Sequence, residues 1–300
     1  MRYRTTAIGV LLGALLAVPA AEARGGVPSQ LVFPVLGEVS FVDDFGQPRP
    51  GGLHQGNDLM APKKAIAVAA ESGKVKFWTT SANAGCMLYL YGDSGTTYIY
   101  IHLNNDLGMG NDNKGKCVPG VAYASGLHDG DQVAAGQAVG FVGDSGDANG
   151  IHAHLHFEVH PPCGGAGDLG DRNGKAGSGS APPSRSPCGK AISPYPFLLK
   201  AQHLFFSATA GQMVTLVLTG TVTAVVADQL TLDVGLLREW PAHQRASKPG
   251  ELTVTVPADV LDLSSLEPGQ KATVWTEPAP ATLDVQLGNG LLASKLVLRP

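Results

Sequence analysis

The sequence predicts a mainly β protein in two parts, an antiparallel-sheet domain followed by a small all-β barrel or sandwich. Three observations carry this. Short runs that alternate apolar and polar side chains recur along the chain, bounded by Gly, Pro, Asn and Asp. Glycine and proline number 39 and 21 in 300 residues while aromatics make up 6%, which suits a loop-rich β protein. From about Gly211 the texture changes to long runs of Thr alternating with Val and Leu. A chain of this length favours two domains and can bury a sizeable core.

Residues 1–23 read as an export signal. Arg2 and Arg4 precede the apolar stretch Ala7–Val18, and Ala21-Glu22-Ala23 offers a small-residue cleavage site. That stretch is too short to span a bilayer, and no later run reaches membrane length. No cysteine lies near the cut, which argues against a lipid anchor. The expectation is a periplasmic or secreted protein with no membrane span. Its formal charge is -4, and removing Arg2, Arg4 and Glu22 (a net +1) makes it -5. No Lys/Arg cluster offers a footprint for nucleic acid or an anionic membrane surface. Affinity for an anionic polymer would have to come from a shaped site.

The first domain is expected over residues 24–200. A Gly/Pro-rich loop at 45–52 leads into Leu53-His54-Gln55-Gly56-Asn57-Asp58-Leu59. On an extended strand His54 and Asp58 would stand about 13 Å apart, at roughly 3.3 Å per residue. A tight loop at Gly56 is expected to bring them together. Strands follow at Ala67–Ala70, Gly73–Trp78, Met87–Tyr91 and Thr96–Leu103. In the last, period 2 places Tyr98, Tyr100 and His102 on a polar face opposite Ile99, Ile101 and Leu103. An irregular, Gly/Asn/Asp-rich insertion occupies 104–130, and a strand-turn-strand runs over 131–143.

The loop 144–149 then delivers the chain to Gly150–His160. Here Ala153, Leu155, Phe157 and Val159 fall on one face, and His152, His154, His156, Glu158 and His160 on the other. A solvent-facing His-rich strand would read the same way. Three imidazoles at i, i+2 and i+4 nonetheless favour a metal site, because neutral imidazole is the commonest metal ligand. Residues 161–190 are Gly/Ser/Pro-rich and read as a tethered mobile loop. Ser193–Leu199 closes the domain. Strands within 214–234, 251–256 and 272–276 build the second, over 211–300, to which no chemistry is assigned. Cys86, Cys117, Cys163 and Cys188 are an even set in an exported chain and read as disulfides with three possible pairings. The sequential pairing, Cys86–Cys117 and Cys163–Cys188, is favoured because each bridge closes one irregular loop.

Taken in order, His54-x-x-x-Asp58, Tyr100-Ile101-His102-Leu103 and His154-x-His156-Phe157-Glu158 resemble the pattern of lysostaphin-type (LytM-like) zinc endopeptidases. The match runs from about Phe33 to Leu199. It includes Gly130-Asp131-x-Val133, Gly136-Gln137 and Val139-Gly140, then Pro194-Tyr195-Pro196-Phe197-Leu198. The resemblance implies a duplicated hybrid motif with a sheet-rich groove, one zinc ion per chain on its floor, and peptidoglycan peptides as substrate. It implies His54, Asp58 and His156 as zinc ligands, and His102 and His154 as the catalytic pair.

Two imidazoles and a carboxylate leave a fourth tetrahedral position of Zn²⁺ open for water, as catalytic sites require. With no H-E-x-x-H glutamate to act as base, protons fall to the two remaining histidines, whose ordinary pKa suits neutral pH. Which of them is the base stays open. Asn57 stands where this family usually has an apolar residue, and Lys64 where Gly is common. The insertion at 104–130 is longer than the minimal family loop and is expected to border the groove. His152 reads as a groove-rim residue and His160 as structural. The alternative to an enzyme is an inert LytM-like module that binds the wall or activates another hydrolase. Inert relatives lose ligands, whereas all five residues are present here. A chain ended after about Lys200 is expected to fold and act without the C-terminal module.

Overall fold

The computed structural model describes residues 26–78, 82–162, 189–209 and 211–299. The export signal expected at 1–23 lies outside them, as do Cys163, Cys188 and most of the loop expected at 161–190. The first domain contributes β1 (Pro48–Arg49), β2 (Gly52–Leu53), β3 (Asn57–Met60), β4 (Ile66–Val68), β5 (Gly73–Trp78), β6 (Cys86–Gly92), β7 (Thr97–Leu103), β8 (Gln132–Val133), β9 (Ala138–Phe141) and β10 (His154–His160). Its six-stranded sheet has the order β3-β10-β7-β6-β5-β8 and is antiparallel throughout, with a β1–β2 hairpin and a β4–β9 pair beside it. The protein is mainly β, as its alternating runs predict. Among the described residues no helix is long and apolar enough to cross a membrane.

β10 sits second in the sheet and sets its register. Leu155, Phe157 and Val159 are fully buried in the core with Leu59, Leu88, Leu90, Tyr98 and Tyr100. Each such side chain contributes roughly 1.5–3 kcal/mol of burial. A slip of one residue would drive the imidazoles into that core, so the register is strongly specified. The opposite face is also covered. His154, His156, Glu158 and His160 are all buried, which makes this face the floor of a groove and not an open strand surface.

β7 departs from the alternation read from its sequence. Tyr98 and Tyr100 point into the core, while Ile99 and Ile101 lie on the groove side, opposite Glu158 and His156. The pattern breaks at His102, whose φ is +62°. On β6, Cys86 pairs with Leu103 and Leu88 with Tyr100, so Met87 alone opposes both Ile101 and His102. This is a β-bulge, and it re-aims one side chain. His102 therefore joins Ile101 in the groove, and Leu103 returns to the core with the tyrosines.

Cys86 and Cys117 form a disulfide across 31 residues, pinning the insertion to the start of β6. On the chain-entropy argument, closing a loop of that length contributes about 3–4 kcal/mol. Replacing both cysteines by alanine should lower unfolding free energy by that amount in a denaturant titration. An unchanged midpoint would show that the insertion is already ordered without the bridge.

The second domain comprises β11 (Met213–Val226), β12 (Gln229–Trp240), β13 (Arg245–Thr255), β14 (Lys271–Thr276), β15 (Ala279–Pro280) and β16 (Leu291–Arg299). Its sheet order is β12-β13-β16-β14-β11-β15, and β11 also pairs with β12, so the sheet closes on itself as a barrel. Closure uses a parallel β13–β16 contact among otherwise antiparallel pairs. β16 is absent from the sequence expectation, because Leu291-Leu292-Ala293-Ser294-Lys295-Leu296-Val297-Leu298 does not alternate cleanly. The barrel has its own core, including Leu216, Leu218, Leu230, Leu232, Val234 and Val274. It also docks on the first domain, where Leu204, Leu283 and Leu287 pack with Val32 and Val68.

Candidate metal centre

The floor of the sheet and the β1–β2 hairpin enclose a groove of about 750 Å³. Arg49 and Leu53 of the hairpin line it, together with Ala84, Asp147 and Ile151. The hairpin ends at His54, whose backbone N–H donates to the Gln47 carbonyl at 2.9 Å. Asp58 lies on strand β3 and not in a loop, directly opposite His156 of β10. The turn between His54 and Asp58 runs close against β10. At Gly56 a Cβ would lie 2.5 Å from the Phe157 carbonyl oxygen and 2.9 Å from His156 Nε2. Only glycine permits that approach.

One atom from each of His54, Asp58 and His156 falls within 4.8 Å of the other two. His54 Nε2 is 2.9 Å from His156 Nδ1, and Asp58 Oδ1 is 3.1 Å from both. The other nitrogen of each ring is already committed. His54 Nδ1 donates to the Asp44 carbonyl at 2.9 Å, which can only accept. His156 Nε2 donates to Glu158 Oε1 at 3.0 Å. In the neutral rings the facing atoms are then two bare nitrogens beside a carboxylate oxygen, three acceptors with no donor among them. Such a set calls for a cation, and its two imidazoles and one carboxylate suit zinc. The carboxylate–histidine arrangement at Glu158 is the kind that fixes tautomer and ring orientation at metal sites.

The electrostatics agree. Burial would raise the Asp58 carboxyl, but hydrogen bonds with His156 and His54 outweigh it and hold the group well below its ordinary value. Burial likewise opposes charge on His156, yet Asp58 and Glu158 outweigh it and push the metal-free ring up to about 9. Glu158 is drawn down to about 2, its burial offset by His156 and His160. His160 is held at both ring nitrogens, donating to the Gly189 carbonyl at 2.8 Å and meeting Glu158 Oε2 at 2.6 Å.

His102 and His154 stand beside this set with ring centroids 5.0 Å apart. His102 Nδ1 donates to the Ser145 carbonyl at 2.8 Å, and His154 Nδ1 to the His152 carbonyl at 3.0 Å. Both rings, when neutral, therefore present a bare Nε2. His154 Nε2 lies 3.7 Å from Asp58 Oδ1, and His102 Nε2 lies 3.7 Å from Asp147 Oδ1. Burial, with repulsion from His154, lowers His102 to about 4. The positive φ of His102 is a strained conformation for a residue with a Cβ, of the kind that clusters at functional sites. His152 is exposed, and what it gives the site is its carbonyl.

Sequence reasoning brings the five polar residues together but misses their supports. Asp44 is a hub. Its carbonyl takes His54 Nδ1, its Oδ1 takes Asn57 Nδ2 at 2.8 Å, and its Oδ2 takes Arg49 at 3.2 Å. Asn57, in place of the usual apolar residue, is fully buried and earns its position by holding Asp44 and the Val42 carbonyl. Glu158 could have been found, since it follows His156 by two on the same face. Nothing in the sequence links Asp44 or Arg49 to the site. The insertion stands one layer behind the groove: Lys63 Nζ joins Asp106 at 2.6 Å to Asp144 at 2.9 Å, and Asn113 reaches Asn149. Lys64 takes the positive φ (+66°) that Gly usually supplies there, and its Nζ caps the Leu107 carbonyl.

No protein-family model matches the chain. Among solved structures it is similar to a candidate glycyl-glycine endopeptidase LytM of Ruminococcus gnavus, with TM-score 0.38 and 21% identity over 56% of this chain. It spans 58% of that protein's length, less than two thirds. The catalytic domain of the antimicrobial peptidase lysostaphin of Staphylococcus simulans gives TM-score 0.34 and 20% identity over 53% of this chain and 90% of that one. A zinc-containing peptidase of Vibrio cholerae gives 0.31 and 22%, over 44% of this chain and 37% of that one. Scores of this size carry no functional weight, which rests on the chain's own residues. In the order of its three motifs and their convergence on one groove, the chain resembles the lysostaphin-type peptidases.

Proposed function

We propose that the protein is an exported zinc endopeptidase that hydrolyses peptide bonds in bacterial peptidoglycan. The observation that supports this most is the meeting of one ligand-type atom from each of His54, Asp58 and His156, within 4.8 Å of one another, with two further histidines in one groove. Zinc held by those three residues would supply a Lewis acid that lowers the pKa of water toward about 7 and polarises a carbonyl. The chain's own part is to place substrate and move protons. His102, kept neutral at pH 7 by burial, offers Nε2 as the acceptor for a proton from the attacking water. The Ser145 carbonyl holds its ring in that tautomer. His154 is fixed in the same way by His152, with Asp58 beside its Nε2. Entering the cycle protonated, it can hydrogen-bond to the oxyanion and then give its proton to the leaving amine, after which His102 releases its proton to solvent and His154 takes one up. The groove is open at the surface, as a polymer substrate requires.

The test is hydrolysis of purified peptidoglycan by the zinc-loaded protein, followed through new amino groups. Amine release that stops on adding chelator and returns with zinc is the expected result. Binding to sacculi with no amine release would sink the enzyme reading and leave the inert wall-binding or activating module.

A further inference from the structure

Asp44 and Asp58 bring two carboxylates to the His54 side of the donor set, and Arg49 balances them. Its Nη2 donates to Asp58 Oδ2 at 2.9 Å and to Asp44 Oδ2 at 3.2 Å. Asp58 is thereby divided. Oδ1 turns to the two ligand-type ring nitrogens at 3.1 Å, and Oδ2 to the guanidinium. A carboxylate can grip a divalent cation with one oxygen or with both. A charge-assisted hydrogen bond on one oxygen removes that choice, because such bonds are roughly twice as strong as neutral ones.

Arg49 is well placed to do this. It pairs with Gly52 in the β1–β2 hairpin and is flanked by Pro48 and Pro50, whose rings fix φ. The same hairpin delivers His54 to the donor set two residues after Gly52. Asp44 is anchored in turn by Asn57 and His54, so the guanidinium bridges two supported carboxylates.

We propose that Arg49 is a positioning residue that confines Asp58 to one-oxygen ligation, keeping room at the ion for water and the substrate carbonyl. This rests on the metal-centre reading above and adds a role for a residue outside the donor set. A lysine would keep the charge but lose the planar fork, and a methionine would keep bulk without charge.

The test loads the full chain and its Arg49→Lys and Arg49→Met variants with cobalt(II) in place of zinc and records visible spectra. Zinc affinity by chelator competition, and kcat and KM on a soluble peptide, are measured beside them. The wild type should show the intense bands of a four-coordinate ion. Arg49→Met should still bind one ion but with the weaker bands of a higher coordination number, and kcat should fall about ten- to hundredfold with KM little changed. Arg49→Lys should lie between. A wild-type spectrum in metal-loaded Arg49→Met overturns the proposal, as does a rise in KM alone, which would make Arg49 a substrate contact. A wild-type chain that takes up neither ion overturns the metal-centre reading and this inference with it. If Arg49→Met does not fold, as judged by circular dichroism, the Arg49→Lys spectrum decides on the same criteria.

Discussion

Replacing His54, Asp58 or His156 by alanine should yield a folded chain that no longer retains zinc, with peptidoglycan hydrolysis down on the order of a thousandfold or more, about 4 kcal/mol of barrier. Each change removes one of three donors, and what remains cannot hold the ion in place. His102→Ala and His154→Ala should keep one zinc and lose activity by about 10²–10⁴-fold, the range for a single acid–base group. Equal zinc loss in all five variants would refute this division of roles. The pH dependence gives an independent readout. In the metal-free chain His156 holds its proton up to about 9, so zinc must displace it. Affinity should therefore rise by about tenfold per pH unit between pH 6 and 8. The same shift acts oppositely on the metal-free fold. Protonated His156 stabilises it fully below about pH 6.5, and that contribution fades as pH rises through about 9.

Why the site was partly legible follows from where period 2 holds. Along β10 the alternation is unbroken from His154 to His160, so its imidazole face could be read directly. β7 breaks at His102, where β7 carries one residue more than β6 between the Leu88–Tyr100 and Cys86–Leu103 pairs, a mismatch that no pattern in 97–103 reveals. Unbroken period 2 sets Tyr98 and Tyr100 on the polar face with His102, whereas both tyrosines lie in the core and Ile99 and Ile101 share the side of His102. The turn at Gly56 was legible as a need for glycine, but its cause, the Phe157 carbonyl 101 residues away, was not. Asp44 and Arg49 act through single hydrogen bonds from irregular chain, where no periodicity marks a face. In the barrel, the Thr/Val/Leu runs of β11 and β12 were plain. Arg245 to Gly250 hid the first half of β13 behind charge, proline and glycine.

Ending the chain after Lys200 should cost far more stability than the sequence alone suggests. Residues just beyond that point belong to the first domain. Gln202 N–H donates to the Leu31 carbonyl at 2.8 Å, and its carbonyl accepts from Phe33 N–H at 2.9 Å. His203 stacks on Phe33 with ring centroids 4.3 Å apart. Leu204 fills the cluster with Val32 and Val68, which Leu283 and Leu287 cover from the barrel. Removing Leu204 and uncovering both valines forfeits roughly 1.5–3 kcal/mol for each side chain, about 5 kcal/mol in all before the hydrogen bonds. That rivals the whole stability of many domains. A melting point lower by roughly 10–20 °C, or an insoluble chain, is the expected result. A chain ended after Thr209 keeps Gln202, His203 and Leu204 and should lose about half as much. Since His54, Asp58, His102, His154 and His156 all precede residue 157, the chain ended after Thr209 should still bind zinc and match the full chain's kcat/KM on a soluble peptide. Any further loss confined to intact sacculi would then measure a second contact made by the barrel, through effective concentration at the polymer. A Lys200 truncation as stable as the full chain would refute the docking account. If the Thr209 truncation loses the same factor on both substrates, the barrel acts as a structural support and not as a targeting module.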